Sequence, residues 1–231
     1  MTTMLFISLA KHQGLYFNRL LNETELQGKV VTPPQMPWPR LLQTSRVLSR
    51  IDWPSLIEEK CEERRVKNKN DGRLYRLLLR LELIWMALRA QALLDRERPD
   101  ALVFWNGSHR YCRLLTALAP PGCKTFFFEN GLLPDTTTVD PQGVNYLNAV
   151  PREAGFYLNY PYPVPESQAV PVLIPRQPRT SGPAPIVLPE QFIFIPFQDD
   201  RDSQVRLFSP WIKNMREMFA LGERLANETG L

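Results

Sequence analysis

Glycine is scarce in this 231-residue chain, at 11 residues. No stretch repeats it as a phosphate-cradling loop or a dinucleotide fingerprint would, where missing side chains let backbone amides approach a pyrophosphate. Cysteine and histidine are rarer. Cys61, Cys112 and Cys123, with His12 and His109, share no close metal-ligand spacing, which excludes a structural zinc site and a disulfide framework and fits a reducing, cytoplasmic compartment. No metal or cofactor is expected. A membrane span needs about 18–20 consecutive apolar residues, and the longest candidates, such as Leu83 to Leu88, are broken by charge on both sides. The first ten residues have no basic n-region and no cleavage-like site, so no secretory leader is expected.

What is present is a globular composition, 44% hydrophobic and 23% charged, sufficient to bury a core. Proline is abundant, at 22 residues, nine of them between Pro161 and Pro189. Too poor in periodicity for an element and too stiff for random coil, that stretch reads as an interdomain connector over 161–190. It separates a first domain over 1–160 from the start of a second over 191–231. The net charge of +4 is uneven: residues 1–115 carry 19 basic and 12 acidic groups, and residues 116–231 carry 9 and 12. The surplus is densest from Lys60 to Arg80, a stripe suited either to an anionic surface or, with Glu58, Glu59, Glu62 and Glu63 interleaved, to solvent. Nucleic acid is not expected as a partner, because residues 58–80 hold only Tyr75 as an aromatic.

Met4 to Leu9, Lys29 to Thr32, Ala101 to Trp105 and Thr125 to Phe128 read as short apolar strands. Helices are expected after Gly14, from about Asp71 to Arg96, and from a Ser108 cap to about Leu118. In the long helix Leu74, Leu77, Leu78, Leu81, Ile84, Trp85, Leu88 and Ala92 recur near a 3.6-residue period and mark the expected core face. Apolar strands alternating with helices imply an α/β fold with a parallel sheet covered on both faces. Asp140-Pro-Gln-Gly143 has type I turn chemistry. Phe192 to Ile195 reads as a further strand, and Ser209-Pro210 as the cap of a helix from Trp211 to Asn227.

Ligands of such sheets bind outside the carboxyl ends of the strands. Glu129 follows three phenylalanines at such an end, where partial desolvation suits a carboxylate to proton transfer; helix capping or pairing with an arginine fits the same spacing. Asp199, Asp200 and Asp202 crowd three carboxylates into a loop, as a base, metal ligand, nucleophile or plain acidic loop. His12 lies in the expected first loop. Asn106, His109 and Arg110 offer donors near a helix start, or are ordinary first-turn residues. Tyr157, Tyr160 and Tyr162 either stack on a sugar ring or pack the connector.

Phe126-Phe-Phe-Glu129-Asn130-Gly131-Leu-Leu-Pro134-Asp, its continuation Asp140-Pro-Gln-Gly143-Val-Asn145, and Phe197-Gln198-Asp-Asp-Arg201-Asp202-Ser203 resemble the bacterial capsular polysaccharide synthesis family. This is the KpsS/LipB and KpsC/LipA type of β-Kdo glycosyltransferase. The resemblance implies a GT-B-like pair of Rossmann-type domains and a retaining transfer of Kdo from CMP-Kdo to a lipid-linked glycan acceptor. It places the nucleophile at Asp202 and the general base at Glu129. Asn130, Gly131, Asn145, Gln198 and Ser203 are then substrate contacts, and Arg110, Arg152 or Arg201 partners for the Kdo carboxylate. The implied setting is the cytoplasmic face of an anionic inner membrane, beside capsule assembly proteins. Members continue through a His-Pro segment that holds CMP; none occurs in these 231 residues, so the nucleotide-holding part is expected outside them and the chain alone is expected to be inactive. A non-catalytic scaffolding component of the assembly machinery is the other expectation.

Overall fold

The computed structural model describes residues 3–39, 44–131, 133, 136–161 and 187–230. Most of the proline-dense stretch, with Tyr162, and Pro134 and Asp135 of the motif lie outside the described residues. The chain divides into two compact units, 1–149 with 199–213, and 150–198 with 214–231.

The first unit is built on a five-stranded sheet: β1 (Met4–Ile7), β2 (Gly28–Val31), β3 (Ala101–Trp105), β4 (Lys124–Asn130) and β5 (Thr137–Asp140), in the order β2-β1-β3-β4-β5. The first four strands run parallel, with Phe6 opposite Val30 and Val103. Side chains of a strand alternate between faces, and here both faces are buried. Leu5, Ile7, Leu102, Phe104 and Phe127 pack on one side beneath helix α4 (Arg73–Glu97) and helix α5 (Arg110–Leu118). Phe6, Val103 and Phe128 pack on the other against Phe17 of helix α1 (Lys11–Glu23). Two-sided burial is why these segments read as continuous apolar runs. Burying each large side chain contributes roughly 1.5–3 kcal/mol. Helices α2 (Thr44–Leu48) and α3 (Trp53–Val66) complete the α4 side.

The sheet is thus α/β and mostly parallel, a Rossmann-like arrangement, but β5 pairs antiparallel to β4, with Glu129 opposite Thr138. Only residues 131–136 join these strands, too few for a parallel crossover, which takes about a dozen or more. Three helix expectations also change. Gly14 lies within α1, which starts at Lys11, so His12 sits in its first turn rather than in a loop. His109, not Ser108, caps α5. In α4 the buried positions are Leu79, Leu83, Met86, Ala87, Leu88, Ala90, Ala92, Leu93 and Leu94, whereas Leu74, Leu77, Leu78, Leu81 and Trp85 of the expected core face are exposed. The helix is apolar on both faces over its first half, and periodicity alone does not say which face the sheet takes.

In the second unit, α6 spans Ala154–Leu158 and α7 spans Met215–Thr229. The cap of α7 is Asn214, which accepts from the Glu217 N–H at 3.0 Å and donates to the Glu217 side chain at 2.9 Å. This reciprocal cap supersedes the expected start at Ser209-Pro210. Phe192 to Ile195 forms no strand among the described residues. Ile195 instead packs on Gly222 of α7, where a Cβ would come within 2.1 Å of its Cδ1. Among the described residues, no helix is long and apolar enough to cross a membrane.

Leu83 is wholly buried under the sheet. Leu83→Ala is expected to lower unfolding free energy by about 2–5 kcal/mol in urea titration.

Candidate functional site

The strand order reverses direction between β1 and β3, and the crevice at such a reversal is where open α/β sheets take ligands. The polar groups gather at the carboxyl ends of β3 and β4. Past Trp105 the apolar strand gives way to Asn106 and Gly107, both in the left-handed region (φ +65° and +76°). Gly107 is needed for a second reason: a Cβ there would lie 2.3 Å from the Phe127 ring. The bend returns the Asn106 side chain toward β4. Its Nδ2 donates to Glu129 Oε2 at 2.7 Å, while its Oδ1 accepts from Ser108 N at 3.2 Å and from the Ser108 hydroxyl. The other carboxylate oxygen, Glu129 Oε1, accepts from Asn130 N at 2.9 Å.

Among the described residues Glu129 therefore neither caps a helix nor pairs with an arginine. It is a carboxylate held by an amide and a backbone N–H at the edge of the sheet, both of which orient it without neutralising its charge. Gly131 follows because Thr136 leaves no room: a Cβ would meet the Thr136 hydroxyl at 2.0 Å. That contact accompanies the Gly131 N to Thr136 O bond of 2.8 Å that turns the chain into β5.

Beside this edge lies a cavity of about 360 Å3, within the size range of small-molecule sites. Three distant segments meet on it: Asn106 to Ser108, Gln142 to Val144, and Ser203 with Gln204 and Phe208. Asp140 shapes the second segment, accepting from Gln142 N at 2.7 Å, Gly143 N at 3.0 Å and Ala149 N at 2.8 Å. The third segment is tied to the second by Tyr146, whose N–H donates to Gln204 Oε1 at 3.2 Å and whose ring stacks on Phe208 at 5.1 Å. Arg206 anchors the same turn, donating to the Glu59 carbonyl of α3 at 2.8 Å.

The two carboxylates singled out from sequence reach this cavity through neighbours, Glu129 through Asn106, and Asp202 through Ser203 and Gln204. Asp202 Oδ1 accepts from Gln204 N at 2.7 Å and so opens the helical turn Gln204–Phe208. Asn145, at φ +53°, begins the short turn Asn145–Leu147. His12 meets Trp105 edge-on at 6.5 Å. Arg201 pairs with Asp199 at 2.6 Å, and these hydrogen bonds lower the Asp199 pKa to about 2. Arg110 pairs with Glu82 at 3.0 Å. Both guanidiniums are thus engaged by the chain's own carboxylates. Arg152 and Gln198 belong to the second unit, where Gln198 N donates to Met215 Sδ at 3.1 Å.

Arg113, Gln204 and Phe208 line the cavity without having been singled out. Arg113 donates to Glu59 and, at 3.1 Å, to Ser55, and nothing in its spacing separates it from an ordinary helix arginine. The Lys60 to Arg80 stripe is interleaved charge: Arg65 and Arg76 each bond both Glu58 and Asp71. Burial works against the Glu63 carboxylate, but hydrogen bonds from Lys60 and Lys67 outweigh it and bring its pKa to about 2.

His109 caps α5 through Nδ1, which accepts from Tyr111 N at 3.2 Å. Part of its edge stays in solvent, yet the ring is crowded, edge-on to Tyr111 at 4.9 Å. Burial, then the Arg110 and Lys60 cations, lower its pKa to about 4.

No family model and no solved structure matches the chain. Among curated proteins, Protein FixF of Sinorhizobium fredii (strain NBRC 101917 / NGR234) is 36% identical over 118 residues, 51% of this chain and 29% of FixF. The chain thus spans less than a third of that relative's length.

Two outcomes follow. Asn106→Ala removes the amide that orients Glu129 and leaves that carboxylate one donor short, and is expected to destabilise by about 1–3 kcal/mol in denaturant titration. A histidine neutral in the fold and protonated when unfolded costs stability as pH falls. Between about 6.5 and 4.5, above the range where Glu63 protonates, wild-type stability should therefore decline as pH falls. His109→Asn, which still caps, should flatten that decline in melts across the window.

Proposed function

We propose that this chain is the acceptor-side part of a retaining β-Kdo glycosyltransferase of capsule biosynthesis, transferring Kdo from CMP-Kdo to a lipid-linked acceptor. The observation that carries the reading is the oriented Glu129 carboxylate at the carboxyl edge of the sheet, beside a cavity on which the Asn106, Gly143 and Ser203 segments converge. Of these groups, the Phe-Glu-Asn-Gly motif of the resemblance supplies Glu129, its Asp-Pro-Gln-Gly continuation supplies Gly143, and the Gln-Asp-Asp-Arg-Asp-Ser motif supplies Ser203 with Asp202 next to it.

In this reading a carboxylate oxygen of Asp202 attacks the anomeric carbon of Kdo. The bond from that carbon to the CMP phosphate oxygen breaks, and CMP leaves with the electron pair. Glu129 then takes the proton of the acceptor hydroxyl, whose oxygen attacks the anomeric carbon; the bond from that carbon to the Asp202 oxygen breaks and the Asp202 carboxylate is released. Two inversions give net retention. Asn106 and Asn130 act as positioning residues, holding Glu129 with one face toward the acceptor. The GT-B pairing with a second Rossmann-type domain, and the CMP contacts that domain would make, belong to the same proposal.

The test is transfer from CMP-Kdo to a lipid acceptor by the whole protein carrying Asp202→Asn or Glu129→Gln. Each is expected to lower the rate by roughly 100-fold or more, as loss of a nucleophile or a general base does. Transfer at the wild-type rate by both variants would refute the roles and favour a scaffolding component.

A further inference from the structure

The periodic leucine face of α4 is the one the fold leaves uncovered. Leu74, Leu77, Leu78, Leu81 and Trp85 recur at steps of three and four residues, so they share one face, and each is between 43 and 69% exposed. Scattered surface leucines need no explanation, but a contiguous apolar stripe does. The opposite face of the same helix is already in the core through Leu79, Leu83 and Met86. This second face is therefore not required by the sheet.

A loop extends it. Trp38, 82% exposed, meets Trp85 edge-on at 5.7 Å. Arg89 of α4 holds that loop in place, donating to the Pro37 and Pro34 carbonyls at 3.2 Å each. The stripe thus ends in two adjoining indoles, side chains that combine an apolar body with a polar N–H and favour the boundary between hydrocarbon and water.

The charges along the stripe decide the partner. Arg73 and Arg80, seven residues apart, follow one edge of the leucine face and are exposed. Neither forms an ion pair among the described residues, in contrast to Arg65 and Arg76, whose carboxylates are on the chain itself. The acids nearest to them in sequence are engaged elsewhere, Asp71 by Arg65 and Arg76, and Glu82 by Arg110 and by the Tyr111 hydroxyl. An apolar face with a basic edge and a tryptophan pair calls for a partner that is apolar within and negative at its rim. That is the chemistry of an anionic bilayer surface.

We infer that α4 and the Trp38 loop form a membrane-docking face, on which the leucines and indoles enter the headgroup boundary while Arg73 and Arg80 contact anionic headgroups. Arg73 and Arg80 belong to the Lys60 to Arg80 stripe but, unlike its Lys60, Arg65, Lys67 and Arg76, form no ion pair among the described residues. This face gives the anionic-membrane contact that the resemblance implies a place on the fold, and it requires neither donor nor acceptor.

The experiment is co-sedimentation of the full chain with vesicles of phosphatidylcholine alone and of an equimolar mixture with phosphatidylglycerol. Binding is expected to the anionic vesicles and to weaken with salt. Arg73→Gln with Arg80→Gln should weaken it by roughly 30-fold, about fivefold for each arginine. Leu77→Glu with Leu81→Glu should weaken it by more than roughly tenfold, and the milder Leu77→Gln, Leu81→Gln pair should do so in the same direction, with circular dichroism confirming that the helix persists. Equal affinity for both vesicle types, no binding at all, or binding indifferent to the leucine substitutions would overturn the proposal. So would a dimer in sedimentation that the leucine variants dissociate while vesicles go unbound, since the face would then belong to a second copy of the chain. None of these outcomes bears on Glu129 or Asp202, so this inference and the proposed function stand or fall separately.

Discussion

The two-sided burial of β1, β3 and β4 is the constraint on which the rest of the first unit depends. With Leu5, Ile7, Leu102 and Phe104 committed to one face and Phe6, Val103 and Phe128 to the other, a strand has no wet side on which to place a charge. Polar chemistry is confined to where the sandwich ends. Glu129 lies at that limit, one residue beyond Phe128, and its carboxylate needs donors because the protein around it replaces part of its water. Asn106 and the Asn130 N–H supply them. The left-handed turn at Asn106 and Gly107, against the Phe127 ring, follows from the same need to turn sharply out of a packed strand.

The cavity beside this edge is closed by loops against Phe127 of β4 and Arg113, Thr116 and Ala117 of α5. Asp140 organises its own turn, Tyr146 ties that turn to Gln204 and Phe208, and Arg206 fixes the latter segment to α3. Such a wall depends on a few bonds between segments far apart in the chain. By contrast, the ion pairs on α3 and at the start of α4 are largely local and exposed. They contribute little stability, and their main effect is to hold Arg65 and Arg76 against the chain's own Glu58 and Asp71.

The parallel strands were legible because two-sided burial writes itself as an uninterrupted apolar run. The carboxyl-edge position of Glu129 was legible too, from Phe126 to Phe128 before it and Gly131 after it. Other features were not. Thr137 to Asp140 alternates too weakly to announce a strand, and it pairs antiparallel because a short connection permits nothing else. Phe192 to Ile195 has the composition of a strand but rests on α7 instead. Arg113, Gln204 and Phe208 reach the cavity only through tertiary proximity, and their local spacing resembles that of any helix or turn.

The amino-acid sequence by itself determined the α/β class, the apolar strands, the turn at Asp140 and the two carboxylate motifs. It did so because each of these is set by local chemistry: burial periodicity, a proline or glycine at a fixed offset, a cap. Tertiary structure alone decided which of the two apolar faces of α4 enters the core, and that Asn106 rather than an arginine holds Glu129. It likewise decided that the Gly143 and Ser203 segments share one cavity. Those outcomes depend on contacts between residues tens of positions apart, where the competing arrangements bury similar surface and only the packing of the whole unit selects one.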